Sequence, residues 1–238
     1  MTRFRTFHIV PPAVLAVAVG LMAVAAAAPA AAATTYTVTD LGAGGSATNN
    51  GGSDAFLWDG KKMTDLGQQA PLNGSESDAH AINDSGQVVG TYGTGSTMHA
   101  FLYSNGTMTG LPEPSFTGGS GCEADAINST AQIAGSCTDT TGQAHLVRWH
   151  NGEVADLGTL GTPGNWSFTQ AVSINGNGQI AGAVFMEGGA TEGFLYSNGT
   201  ITSLGSFTAA AINDNGQIVA NATYTPTGQT HALLLTPA

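Results

Sequence analysis

One phrase recurs four times in this 238-residue chain: AHAINDSGQVVG from Ala79, ADAINSTAQIAG from Ala124, AVSINGNGQIAG from Ala171 and AAAINDNGQIVA from Ala209. Its isoleucines, Ile82, Ile127, Ile174 and Ile212, stand 45, 47 and 38 residues apart. Each copy is followed by a second phrase: HAFLYSNGTMTGL from His99, HLVRWHNGEVADL from His145, EGFLYSNGTITSL from Glu192 and a shortened HALLL from His231. A further copy, DAFLWDGKKMTDL from Asp54, precedes the first Ile-Asn phrase. A period of about 20–50 residues confines a chain to solenoids, propellers or arrays, because one unit cannot bury its apolar face without a neighbour.

Each unit reads as four short strands, a to d. Strand a is Ala-x-Ala/Ser-Ile-Asn, and a turn of Asn, Asp, Ser and Gly follows, residues that tolerate left-handed or side-chain-bonded conformations. Strand b is Gln-Ile/Val-Val/Ala-Gly. Strand c is typified by Ala100 to Tyr103, and a Ser-Asn-Gly hairpin turn leads to strand d, Thr107 to Leu111. Past the N-terminal region no helical periodicity appears. Four strands per unit at this period predict an all-β β-propeller of about five four-stranded blades. A β-solenoid is the alternative, but its coils are shorter and carry fewer hairpins.

The ends suggest closure. TYTVTDLG, Thr35 to Gly42, matches strand d, and the last unit stops after strand c, so the N-terminal strand is expected to complete the last blade and remove two open edges. Only 12 residues separate Leu41 from Asp54, against 26 between Leu204 and His231, so the first blade is expected to be incomplete. An open stack of four blades is the alternative to a ring.

Arg3 and Arg5, an apolar run over Ile9 to Ala28 and the small residues Ala31 to Ala33 have the form of a secretory signal. The expected division is a signal peptide over 1–33 and a repeat domain over 34–238. A retained membrane anchor is the competing reading, since the apolar run approaches the ~20 residues that span a bilayer. Beyond residue 33 only Lys61, Lys62 and Arg148 are basic, against sixteen Asp and Glu, a net charge of −13 with His neutral. Such a surface repels phosphate backbones and argues against nucleic-acid binding.

The His-Ala-Phe-Leu run at His99 to Leu102, the Ile-Asn-x-x-Gly-Gln runs and the Asp-Leu-Gly at Asp65 and Asp156 together resemble the extracellular HAF-repeat family of secreted bacterial proteins. His145-Leu146-Val147 and Glu192-Gly193-Phe194 are degraded copies, and the first Ile-Asn phrase is missing. The resemblance implies a location and an architecture and brings no catalytic residues with it.

Strand direction places the a–b and c–d turns on one side of the blades and the b–c and d–a loops on the other. The first set is short. The second is expected to be long, as in Gly67 to Asp78, Pro112 to Glu123 and Gly158 to Gln170. Loops on a rigid scaffold carry much of binding, so Phe116, Trp166 and Phe168 are the aromatic candidates for a ligand face, with tucking between blades as the structural alternative. At the loop end of strand a lie Asp78, His80, Glu123 and Asp125. The carboxylates Asp78, Glu123 and Asp125 are the candidates for a Ca²⁺ site, since that ion takes several oxygen ligands; otherwise no cofactor is expected. The polar residues that open strand c, Asp54, His99, His145, Glu192 and His231, are too widely spread around the blades to share one ion and are expected to bond within their own blades.

Cys122 and Cys137 flank one a–b hairpin. Their numbers sum to 259, as do those of Ile127 and Gln132 at the turn, which sets the cysteines opposite one another and predicts a disulfide. The chain contains no Gly-x-Ser-x-Gly, His-Glu-x-x-His, Cys-x-x-Cys or phosphate-loop signature. The reading that follows is a secreted, non-enzymatic, monomeric scaffold that binds an extracellular glycan or protein. Two alternatives stand beside it: a polymer-acting hydrolase or lyase using acidic residues at the channel mouth, and a purely structural envelope protein.

Overall fold

A computed structural model describes residues 54–237, apart from residues 60, 68, 70–75, 95–96, 160–167, 187–188 and 225–227. The signal segment, the strand expected at Thr35 to Gly42, the inner part of the first blade and Trp166 lie outside the described residues.

The described chain is all β, and it is a β-propeller of successive antiparallel blades. The first is the pair β1 (Phe56–Trp58) and β2 (Met63–Asp65), which are strands c and d of its unit. The second contains β3 (Glu76–Ile82), β4 (Val88–Thr94), β5 (Thr97–Ser104) and β6 (Thr107–Gly110). The third contains β7 (Thr117–Ile127), β8 (Ile133–Asp139), β9 (Ala144–His150) and β10 (Glu153–Gly158). The fourth contains β11 (Phe168–Ile174), β12 (Ile180–Phe185), β13 (Thr191–Ser197) and β14 (Thr200–Gly205), and the fifth β15 (Thr208–Ile212), β16 (Ile218–Tyr224) and β17 (Gln229–Leu235). Within each, strands pair in chain order. One parallel bridge, Met98 to Gly121, joins the second blade to the third.

Apolar layers lie between consecutive blades. Val88 and Phe101 meet Ala55 and Leu66 of the first. Val89 and Ala100 meet Ile133, Val147 and Trp149 of the third. Ala134 and Leu146 meet Ile180, Val184 and Phe194 of the fourth, and Ala181 meets Ala209, Ile212 and Ile218 of the fifth. Strands b and c of an internal blade therefore bury both faces, which explains why Val88-Val89, Ile133-Ala134 and Ile180-Ala181 are continuous apolar runs rather than alternating ones.

Both turns on the short side are built as their residues dictate. Asn105-Gly106, Asn151-Gly152 and Asn198-Gly199 all have positive φ, the requirement of a type I′ hairpin. In the a–b turns, the Asn side-chain oxygen accepts backbone N–H groups two and four residues on: Ser85 and Gln87 on Asn83, Thr130 and Gln132 on Asn128.

The structure changes three of the sequence expectations. The b–c connections are tight, since Thr94 pairs Thr97, Thr138 pairs Ala144 and Phe185 pairs Thr191. Asp139 shapes one of them by accepting hydrogen bonds from the N–H groups of Thr141 and Gln143. Pro112 to Glu123 is a loop only as far as Phe116, because β7 begins at Thr117. Finally, Ile127 pairs Ile133 rather than Gln132, and the register shifts between Ala124 and Ala126. Asp125 is thus the extra residue of a β-bulge, and beyond it Cys122 does face Cys137. The two form a disulfide, with Cα atoms 4.1 Å apart.

Candidate functional site

The bulge in strand a is a property of every unit that has one. It falls at His80 in β3, Asp125 in β7, Val172 in β11 and Ala210 in β15. A bulge frees one residue from the pleat and re-aims it. In the second and third blades that residue reaches the next blade. His80 Nδ1 lies 3.0 Å from the carbonyl oxygen of Ala124, to which it donates when protonated there. Asp125 Oδ1 is 3.6 Å from the same nitrogen, an ion-pair rather than a hydrogen-bond distance. Asp125 Oδ2 in turn accepts the N–H of Ala171 in the fourth blade at 3.1 Å.

These groups line a cavity of about 390 Å³ with Glu123, Gln170 and Ala171. Asp125 is the buried member, its side chain 7% exposed against 31% for His80. The Asp125 carboxyl holds the His80 pKa above its ordinary value. Burial pushes the Asp125 carboxyl up, against the opposing pull of His80. Burial, then the neighbouring Asp125 charge, also raise Glu123. The cleft thus presents an imidazole, a carboxyl that takes up a proton more readily than usual and the Gln170 side chain. Together they supply both donors and acceptors.

Of the predicted carboxylates, the structure brings Glu123 and Asp125 together. Asp78 does not join them: it is exposed on β3, opposite Thr91, and lines no part of this cavity. Among the described residues no three of His, Cys, Asp and Glu are grouped as metal ligands. Phe116, partly buried, packs against the layer between the second and third blades and stacks on His145 with ring centroids 4.2 Å apart. Phe168 stands at the start of β11.

Three of the polar residues that open strand c, His99, His145 and Glu192, bond to groups close to their own strands. His99 Nδ1 is 2.6 Å from Glu113. His145 lies between Asp156 (Nδ1, 3.1 Å) and Asp139 (Nε2, 3.5 Å). Ser203 donates to Glu192, and Asp54 lies over Gly67, where an added Cβ would come within 2.3 Å of its oxygen.

A second relationship was hidden in the repeat. In the second, third and fourth blades the Asn side chain of the a–b turn, having capped its own turn, donates through Nδ2 to the backbone carbonyl of the corresponding Asn in the next blade. The bonds are Asn83 to Asn128 (3.0 Å), Asn128 to Asn175 (2.9 Å) and Asn175 to Asn213 (2.9 Å). The sequence signal was available: the Asn is constant over four copies while the turn interior varies from Asp-Ser to Ser-Thr to Gly-Asn to Asp-Asn. A residue needed only for its turn would have been free to vary among Asn, Asp, Ser and Gly.

No family model matches this chain, and no curated protein matches it. Among solved structures, a protein proposed to be a gluconolactonase is 14% identical with a TM-score of 0.44, over 78% of this chain and 71% of that one. The six-bladed β-propeller lectin of Aleuria aurantia, described with a fucose recognition mode, is 13% identical with a TM-score of 0.40, over 75% of this chain and 65% of its own.

Proposed function

We propose that this chain is an extracellular binding protein of the HAF-repeat kind, and that its ligand is a neutral glycan held in the cleft lined by His80, Glu123, Asp125 and Gln170. One observation carries the reading. These four polar groups converge at positions where the repeat does not require them. The bulge position holds Val172 and Ala210 in the later blades, and the position of Glu123 holds Asp78, Gln170 and Thr208 elsewhere. Many other polar residues of the repeat are engaged in turns, in the Asn ladder or in pairs near their own strands. Sugar hydroxyls both donate and accept, which suits a site that mixes carboxyl, imidazole and amide groups. The leader-like segment over Ile9 to Ala28 and the disulfide support an oxidising, extracellular setting. A glycan array probed with the wild type and with Glu123→Gln tests the reading. Binding of neutral glycans by the wild type, weakened in the variant, is expected; equal binding by both overturns the site.

A second reading, a polymer-cleaving enzyme, rests on Glu123 alone. A carboxyl raised by burial and by a neighbouring carboxylate has the property of a general acid. Turnover of the bound glycan, abolished in Glu123→Gln while binding persists, distinguishes it from the first.

A further inference from the structure

We propose that a second cleft, on the turn side of the blades, binds a carboxylate carried on a sugar ring, a hexuronate, with Arg148 as its anchor. The first observation is a departure from the repeat. Arg148 is the fourth residue of the strand-c phrase, where the other copies have Leu57, Leu102, Leu195 and Leu234. Leu102 packs in the layer toward the third blade and Leu195 in the layer toward the fifth. Leu146, two residues before Arg148 and on the same face of β9, packs in the layer toward the fourth. Position 148 is therefore an inter-blade leucine position that holds one of only three basic residues beyond residue 33.

The second observation is where Arg148 stands. It lines a cavity of about 370 Å³ with Asn177, Gln179, Tyr196, Ser197 and Asn198 of the fourth blade. Half-buried, its guanidinium makes no hydrogen bond and no ion pair with any described residue; every ion pair among them is made by a histidine. A partly desolvated, unpaired guanidinium in so acidic a chain lacks a compensating anion, and its planar fork matches a carboxylate. The surrounding groups suit ring hydroxyls. Ser197 Oγ accepts from Gln179 Nε2, which leaves its proton to donate. Asn177 Nδ2 is committed to the Asp214 carbonyl, which leaves its Oδ1 to accept. One cation matches one negative charge, and the net charge of −11 repels polyanions.

The full chain is titrated with galacturonate and glucuronate, against galactose and glucose, acetate and inorganic phosphate. Calorimetry and the Arg148 Nε–Hε NMR signal are the readouts. Hexuronates are expected to bind saturably and at least about tenfold more tightly than the neutral sugars, and Arg148→Gln to lose at least about tenfold. Arg148→Leu, which restores the residue of the other repeats, is expected to keep or raise the melting temperature while losing binding, so that loss of binding is not loss of fold. His80→Ala is expected to leave hexuronate binding intact, which separates this site from the inner-strand cleft. Neutral sugars, acetate or phosphate binding as tightly as hexuronate, no hexuronate binding, or full binding by Arg148→Leu would each overturn the proposal.

Discussion

Asn128 donates its side-chain N–H to the backbone carbonyl of Asn175, 47 residues away in the next blade, at 2.9 Å. The same side chain accepts two backbone N–H groups of its own turn and donates to Gln132. A single amide thus closes a turn and ties two blades.

Asn213 has the same bonds within its turn, accepting from Asn215 and Gln217 and donating to Gln217, but its side chain makes no inter-blade bond among the described residues. Asn→Asp keeps the turn acceptors and removes the donors. Asn128→Asp is expected to cost more than Asn213→Asp, by about 1–3 kcal/mol for the carbonyl left unsatisfied. Urea unfolding of the two variants measures the difference, and equal losses would remove the ladder from the account.

The a–b turns require a left-handed residue, supplied by Gly86, Gly178 and Gly216 at φ between 72° and 76°. The third blade has Ala131 there, at φ 59°. A non-glycine residue in this region is strained by ~1–2 kcal/mol. The unfolded chain gains freedom on substitution by glycine, which offsets part of that. Ala131→Gly is expected to raise stability by about 0.5–1 kcal/mol by denaturant titration, and a loss of stability would contradict the turn geometry.

The disulfide spans 15 residues of the third blade. On the chain-entropy account, a loop of this size adds up to about 3 kcal/mol. The double variant Cys122→Ala, Cys137→Ala is expected to lose at most that and to remain folded, since both sites already sit in an apolar layer. A double variant as stable as the wild type would show that the bridge adds nothing.

The pH dependence has two arms. His80 has a folded pKa above its ordinary value, so its contribution is complete below about 6.5 and is lost as pH rises through the folded value. Asp125, also raised, acts in the same direction over a lower range, its contribution being lost as pH rises above its ordinary 3.8, since ionising it in a buried site costs stability. The melting temperature is therefore expected to fall as pH rises above about 6.5, through the folded value of His80. Asp125→Asn keeps an acceptor for the Ala171 N–H and should flatten that fall; an unchanged slope would exclude the pair. Asp139 works in the opposite direction. Its pKa is held down to about 2, first by the Thr141 hydroxyl and then by the Gln143 N–H, so its contribution is present above 3.8 and lost as pH falls toward about 2. Asp139→Asn should flatten the acid arm alone.

The blades were legible because two phrases alternate at a fixed period, and hairpins such as Ser197 to Thr200 close on Asn-Gly. The cysteine pairing was legible too, although the register at the turn was off by one residue. The bulge at Asp125 corrects it before Cys122, and no composition signal marks a bulge in Ala-x-Ala. That bulge also decides the site. Alternation alone puts His80 and Asp125 on the strand without saying that each is re-aimed at the next blade. Asp78 and Glu123 occupy equivalent positions in their repeats, yet only Glu123 has a buried carboxyl beside it. Arg148 was visible as an exception to a column of leucines, but its lack of a partner depends on which blade it faces.

The most direct test is a histidine-resolved NMR titration with neutral oligosaccharides, following the ring signals of His80, His99 and His145 together. The account predicts that the His80 signal shifts saturably while those of His99 and His145, held by Glu113 and by Asp139 and Asp156, stay in place. A still His80 signal under saturating ligand, or a shift confined to His99 or His145, would contradict it.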